Sequence, residues 1–319
     1  MASFQSRFFI TLLKYRHLFR LQWRRSVVDA TTPIAGLRAR ADASASRFGR
    51  IPPDMRTAEV TIAGCAAEWL HPVGADKRRA ILYFHGGGYV MGSCRSHRGA
   101  VAKFAAGSGV SALVFDYRLA PEHPFPAALD DALAVYAEVL ARGYPASGIV
   151  FAGDSAGGGL CLAALLALRD RGLPLPAAAA VLSPWTDLTC SSPSYDRPDP
   201  LAPAGSWRTF SAHYAGATDA ATPLISPLFG DLAGLPPLLI YVGADESMRD
   251  DSVRFAQKAQ AAGVDVRLHV GDGMVHCYPV FAPMFPEATL AMNDICAFLR
   301  DWAGRDVVER AEAVQPRLP

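Results

Sequence analysis

The chain has 319 residues, about half of them apolar and a fifth charged, with a formal net charge of +1. This is globular composition with room for a large core and for one to three domains. No charge excess points to nucleic acid or to a charged membrane surface. The six cysteines show no CxxC pair and no metal-ligand spacing, which fits free thiols in a reducing, cytoplasmic setting, and no window reaches the ~18 apolar residues of a membrane span.

The elements follow in chain order. In the N-terminal stretch, Phe8, Leu12, Tyr15 and Phe19 recur at spacings of three and four, and basic residues interrupt any signal-peptide core. An amphipathic helix is expected, either packed on the body, forming a lid, or touching a membrane. From Ala58, "AEVTIAG" and "AAEWLHP" read as two short strands, and "AILYFHG" as a buried one. A helix is expected over 96–108, then the strand "VSALVFDYRL", a helix over 124–143, the strand in "GIVFAGDSAGGG" and a helix ending at Gly172. "AAAVLSP", "PPLLIYVGAD" and "VDVRLHVGDG" are later strands; "SVRFAQKAQAAG" and "EATLAMNDICAFLRDWAG" are later helices. Continuous apolar strands alternating with helices predict an α/β fold, a mostly parallel sheet covered on both faces. Residues 186–235, rich in Pro, Ser, Asp and aromatics, interrupt the alternation as an insertion over the sheet's C-terminal edge.

Sites in such sheets form at the C-terminal ends of strands. Gly153-Asp154-Ser155-Ala156-Gly157 matches G-x-S-x-G between a strand and a helix, the context of a nucleophile elbow. His85-Gly86-Gly87-Gly88 ends an earlier strand. Three glycines there let bare N–H groups approach an oxyanion, and the expected donors are Gly87, Gly88 and Ala156. His85 is expected to tie down the loop rather than act as a base. Of eight histidines, His276 follows the last predicted strand and is the candidate base. Asp245, just past a strand end, is the candidate acid, with Glu246, Asp250 and Asp251 as rivals and the latter two expected in a helix's first turn. Cys277, beside the base, is expected to be a packing residue. Asp116, Arg118 and Glu122 are expected to brace the oxyanion loop, with His85, Gly86 and Asp154 as further support. Trp185 either lines the site or anchors the insertion. Tyr89, Trp185, Trp207 and Tyr214 are candidate pocket residues, and Phe4, Phe8, Phe9 and Phe210 add to the aromatics of an apolar, roofed pocket.

The motifs "HGGGYVMG", "DYRLAPEHPFPAALDD", "GDSAGGG", "LSPWTDL", "GADESMRDDS" and "GMVHCY" occur in this order. Together they resemble the hormone-sensitive-lipase-like branch of the α/β-hydrolases, the bacterial family IV esterases, over about residues 57–303. The resemblance implies an eight-stranded sheet, a helical cap, no cofactor or metal, and a serine carboxylesterase acting on a small-molecule ester. It implies the triad Ser155, Asp245 and His276, and dimerisation through the last strand and helix in many relatives. It divides the chain into a cap segment over 1–50, core over 51–185, a cap insertion over 186–235 and core over 236–319. Two positions depart from the pattern. Ser247-Met248 replaces a bulky apolar residue, and Cys277 stands where glycine is common. Other readings on the same residues are a ligand-binding protein lacking the catalytic histidine, which His276 argues against, a lipase on lipid droplets, and cleavage of amides, carbamates or lactones. Short to medium acyl chains are the expected substrates.

Overall fold

Five runs of near-continuous apolar sequence become strands buried on both faces, and their order decides where the site forms. In the computed structural model, which describes residues 2–15, 27–45, 51–197 and 199–304, eight strands form one sheet. They are β1 (Arg56–Ile62), β2 (Cys65–His71), β3 (Ala80–Phe84), β4 (Ser111–Phe115), β5 (Ile149–Asp154), β6 (Ala178–Leu182), β7 (Leu238–Gly243) and β8 (Val266–Gly271). The spatial order is β1-β2-β4-β3-β5-β6-β7-β8. β1 and β2 form an antiparallel hairpin, β2 runs antiparallel to β4, and all later pairs are parallel. The mixed edge is the one expected from the two short early strands.

Alternate side chains feed two cores, as the period of two in a strand requires. Leu82, Phe84, Leu113, Phe115 and Phe151 join the core under α4 (Ala127–Ala141), α5 (Ala156–Asp170) and α7 (Arg249–Ala261). Ile81, Tyr83, Ala112, Val114 and Val150 join the one under α3 (Cys94–Ser108) and α8 (Pro286–Trp302). α3 starts at a capping box, Ser93 with Ser96, two residues before the expected start. Sequence order reverses beside β3: β4 lies on one side of it and β5 on the other. A crevice at the C-terminal ends of β3 and β5 is therefore the expected place for a ligand.

The N-terminal segment divides between two places. α1 (Phe4–Lys14) packs on the body of the protein: Ile10 is buried, and Phe9 lies 5.3 Å from Phe281 and 5.5 Å from Phe285. Ser3 caps the helix and donates its backbone N–H to Glu287 at the start of α8. Phe4 and Phe8 do not roof a pocket; they are 78% and 59% exposed. Residues 27–45 instead meet the insertion and the oxyanion loop. Val28 donates its N–H to Ala204 O at 2.9 Å, and α2 (Ile34–Ala45) carries Arg38 across to residues 90–122. Phe19 lies outside the described residues. The 186–235 insertion contributes α6 (Ser206–Ala215). Among the described residues no helix is long and apolar enough to cross a membrane.

Candidate active site

The strand-to-helix turn between β5 and α5 puts Ser155 at φ +54°, ψ −124°, a conformation costly for a residue with a side chain. Neighbouring loops hold it there. Ser155 donates its N–H to Leu182 O at 2.8 Å, and its carbonyl accepts from Trp185 N–H at 3.0 Å. The turn closes only because Gly157 has no side chain: a Cβ there would stand 2.1 Å from Phe84 O and 2.4 Å from His85 O.

The glycine loop after β3 lies directly against this turn. The Asp154 carboxylate accepts from Gly86 N–H at 3.0 Å and from Tyr83 O–H at 2.8 Å, so the residue before the serine anchors the loop. Burial works against its ionisation. The charge of His97 and the hydrogen bonds it receives outweigh burial and hold its pKa below the usual range. His85 is fully buried and stacks on Tyr117 with ring centroids 4.2 Å apart. Tyr117 O–H donates to His85 O at 2.7 Å, and His85 Nδ1 meets Gly86 O at 2.9 Å. Burial, with His97 nearby, pushes the His85 pKa down to about 4, which suits a neutral structural group rather than a base. Gly88 takes φ +64°, and a Cβ on it would stand 2.5 Å from the Phe210 ring of α6. Among the described residues Gly87 and Gly88 donate their N–H groups to no protein acceptor. Ala156 begins α5, where the first N–H groups have no intrahelical partner.

The loop has a second brace. Glu122 pairs with Arg38 at 2.7 Å, and the same guanidinium donates to Val90 O and Ala120 O. Ala120 N–H donates to Tyr89 O at 2.9 Å. Arg118 instead forks onto Asp131, and Asp116 accepts from Cys94 N–H, so of the three charged residues in this stretch Glu122 acts on the loop most directly.

The structure sets Glu246, not the expected Asp245, against His276. His276 Nδ1 meets Glu246 Oε2 at 2.5 Å, and Glu246 is 4% exposed. The other Glu246 oxygen accepts from Ser183 O–H at 2.7 Å and from Gly243 N–H at 2.5 Å. Asp245 faces the surface, half exposed and 3.5 Å from Lys14 Nζ. Its backbone N–H joins Met274 O, so its Cα lies near the base loop while its carboxylate leaves the site. Asp250 and Asp251 are in the first turn of α7, as expected. Asp251 is buried against Tyr195, Ser192 and the N–H of Asp187, and burial pushes its pKa up to about 7.

Cys277 follows His276 at φ +52°, ψ +34°, the left-handed region, which is the physical reason glycine suits this position. Its N–H donates to Ser183 Oγ at 2.9 Å. Its Sγ lies 3.7 Å from Leu182 O, the carbonyl that also holds Ser155 N–H. The shared Leu182 carbonyl brings the base loop to the nucleophile turn. Burial opposes protonation of His276, but its contacts with Cys277 and Glu246 hold its pKa well above the ordinary histidine value. Burial pushes the Cys277 thiol up. A neutral thiol leaves Glu246 as the group that attracts the proton.

The aromatic candidates divide in two. Tyr89 and Tyr214 stack at 3.7 Å, with Trp185 at 6.1 Å from Tyr89, and all three are almost fully buried as a cap-to-core stack. Trp207 is half-buried, 5.4 Å from Trp185 and 5.5 Å from His276, and it alone of the four borders the base. The sequence reading did not single out Ser183 or Asp199. Asp199 accepts from Ser247 N–H at 3.0 Å, tying the cap to the loop that carries Glu246. Ser183 follows the last residue of β6, the kind of position that signals a site in this fold.

A family model for the alpha/beta hydrolase fold matches residues 81–280. An acetyl-hydrolase of Streptomyces hygroscopicus is 40% identical over 295 residues, 91% of this chain and 96% of that protein. The solved structure of the esterase EstE5, soaked with p-nitrophenyl butyrate, is 40% identical with a TM-score of 0.86 over 95% of this chain and 100% of that one. An esterase from the bacterial hormone-sensitive lipase family is 39% identical with a TM-score of 0.85 over the same shares. The chain thus belongs to the hormone-sensitive-lipase-like branch of the α/β-hydrolases, the bacterial family IV esterases, and is a carboxylic ester hydrolase.

Proposed function

We propose that the chain hydrolyses short- to medium-chain acyl esters through an acyl-enzyme on Ser155, with His276 as base and Glu246 as the acid that orients it. The observation that carries this is the buried contact of Glu246 with His276 on a loop that shares Leu182 O with the nucleophile turn. His276 takes the Ser155 proton as Oγ attacks the ester carbonyl. Glu246 fixes the tautomer with Nδ1–H toward the carboxylate and stabilises the imidazolium. The N–H groups of Gly87, Gly88 and Ala156 receive the oxyanion; one such donor contributes roughly 3–4 kcal/mol to the transition state. The alcohol takes the proton back from His276 and leaves. Water then repeats the attack on the acyl-enzyme, and His276 again carries the proton.

Two observations favour small acyl groups. One cap helix sets Phe210 against the oxyanion loop and Trp207 beside the base, three residues apart, so bulk crowds the reacting centre from above. Among relatives, the Streptomyces protein is named an acetyl-hydrolase, and EstE5 was soaked with a four-carbon ester. The test is a p-nitrophenyl ester series from C2 to C16 with wild type and Ser155→Ala. A serine-dependent kcat/KM that peaks at or below C8 is expected. A peak at C16, or equal rates for both proteins, overturns the reading.

A further inference from the structure

Among the described residues α1 packs on the body through one face. Ser6 and Ile10 are buried, and Phe9 joins Phe281 and Phe285. The opposite face carries Phe4 at 78%, Phe8 at 59%, Leu12 at 39% and Tyr15 at 51% exposure, spaced by four, four and three residues into a single stripe. The Phe4 and Phe8 rings stack at 6.4 Å, so the stripe begins as a continuous aromatic surface. Arg7 is exposed between these two rings in sequence.

The sequence that carries the stripe is one-sided in charge. The first 28 residues contain six Lys and Arg (Arg7, Lys14, Arg16, Arg20, Arg24 and Arg25) and no Asp or Glu, in a chain whose net charge is only +1. An apolar helix face in a basic segment is the pattern of helices that lie in an anionic bilayer surface. A second copy fits poorly, because docking two such faces would set two basic segments against each other. The location gives the contact a use. Lys14, at the end of α1, lies 3.5 Å from Asp245, and the next residue is the Glu246 that holds His276.

We infer that the exposed face of α1 docks this protein on an anionic phospholipid surface, with Phe4 and Phe8 as the inserted anchors. Docking there brings the rim of the active site next to membrane-dissolved esters; that consequence, though not the docking, rests on the acyl-transfer reading.

The test is co-sedimentation of the full chain with vesicles of ether-linked phosphatidylcholine, with or without phosphatidylglycerol, at low and high salt. Ether lipids keep hydrolysis out of the binding readout. Roughly tenfold stronger partition onto the anionic vesicles is expected, falling as salt rises. The double substitution Phe4→Ser with Phe8→Ser lowers it by roughly tenfold, while hydrolysis of soluble p-nitrophenyl acetate and the circular dichroism spectrum stay unchanged. Phe4→Ser alone, at the most exposed position, serves if the double variant does not fold, and lowers binding to a smaller extent. Equal partition onto both vesicle types, or a variant that binds like wild type, overturns the proposal. A dimer in solution that the substitutions dissolve, with no vesicle binding, also overturns it and assigns the face to a second copy. Failure of the esterase reading appears separately, as absent wild-type hydrolysis with vesicle binding intact.

Discussion

Glu246→Gln and Asp245→Asn are neighbouring, nearly isosteric changes with opposite expected outcomes. Glu246→Gln leaves His276 Nδ1 facing an amide that can present N–H as well as oxygen, so the base loses its fixed tautomer and the charge that stabilises its imidazolium. Neutralising the acid in a well-studied serine triad lowers kcat by about ten-thousand-fold. At 1.36 kcal/mol per tenfold this is ~5 kcal/mol of transition-state stabilisation. Part of the cost is local. The Glu246 carboxylate also accepts from Ser183 O–H and Gly243 N–H, and the amide must turn its oxygen toward them or leave buried donors unpaired. Asp245→Asn breaks only a half-exposed pair with Lys14, a type of contact with a typical strength of about 0–1 kcal/mol. The assay is kcat and kcat/KM on p-nitrophenyl butyrate, with a thermal midpoint to confirm folding. Glu246→Gln is expected to fall by three to four orders of magnitude on the scale just given, and Asp245→Asn by less than about fivefold. The reverse ranking, with both variants folded, would refute the assignment of the acid.

Other consequences follow from the same geometry. The acid limb of the kcat/KM–pH profile should lie above pH ~6.5, the ordinary histidine value, because Glu246 keeps His276 protonated and unable to accept until higher pH; Glu246→Gln should move the limb down. Gly88→Ala forces a Cβ into the Phe210 ring at a positive φ and should cut kcat at least tenfold, with Phe210→Ala in the same chain restoring part of it, as steady-state kinetics on the single and double variants would show. Cys277→Gly removes a left-handed non-glycine residue at the cost of a small buried side chain, so activity should stay within about threefold of wild type and the thermal midpoint should move little. Asp251 binds its proton more tightly folded than unfolded, so its contribution to stability falls as pH rises from its unfolded value near 3.8 to about 7. Asp251→Asn should therefore flatten the decline in thermal midpoint between about pH 4 and 7.

Most of the fold was legible because buried parallel strands must be continuously apolar and their helices must end at glycines and caps. β3 to β7, and the helices between β3 and β6, follow from that requirement. The strained serine turn and the glycine loop beside it were legible for a related reason: bare backbone at close quarters demands glycine, and glycine is visible. The carboxylate that meets His276 was not, and the cause is one residue wide. β7 ends at Gly243, and Gly243 N–H donates back to Glu246. The chain after the strand thus folds on itself at once, and the carboxylate nearest the strand end, Asp245, is turned outward to Lys14. Sequence spacing locates a carboxylate in such a turn but carries no information about which of two adjacent ones faces inward. That depends on Ser183, 63 positions away, and on Asp199 of the cap, 48 positions from the Ser247 N–H it binds. The same limit governs the aromatics. Tyr89, Trp185, Trp207 and Tyr214 are alike as apolar residues near the site, and only the packing of α6 separates the stacked three from the one that touches the base. Catalytic backbone leaves its mark in the sequence through glycine. Catalytic side chains in loops are chosen by partners far along the chain, and their neighbours in sequence offer the same chemistry with the wrong direction.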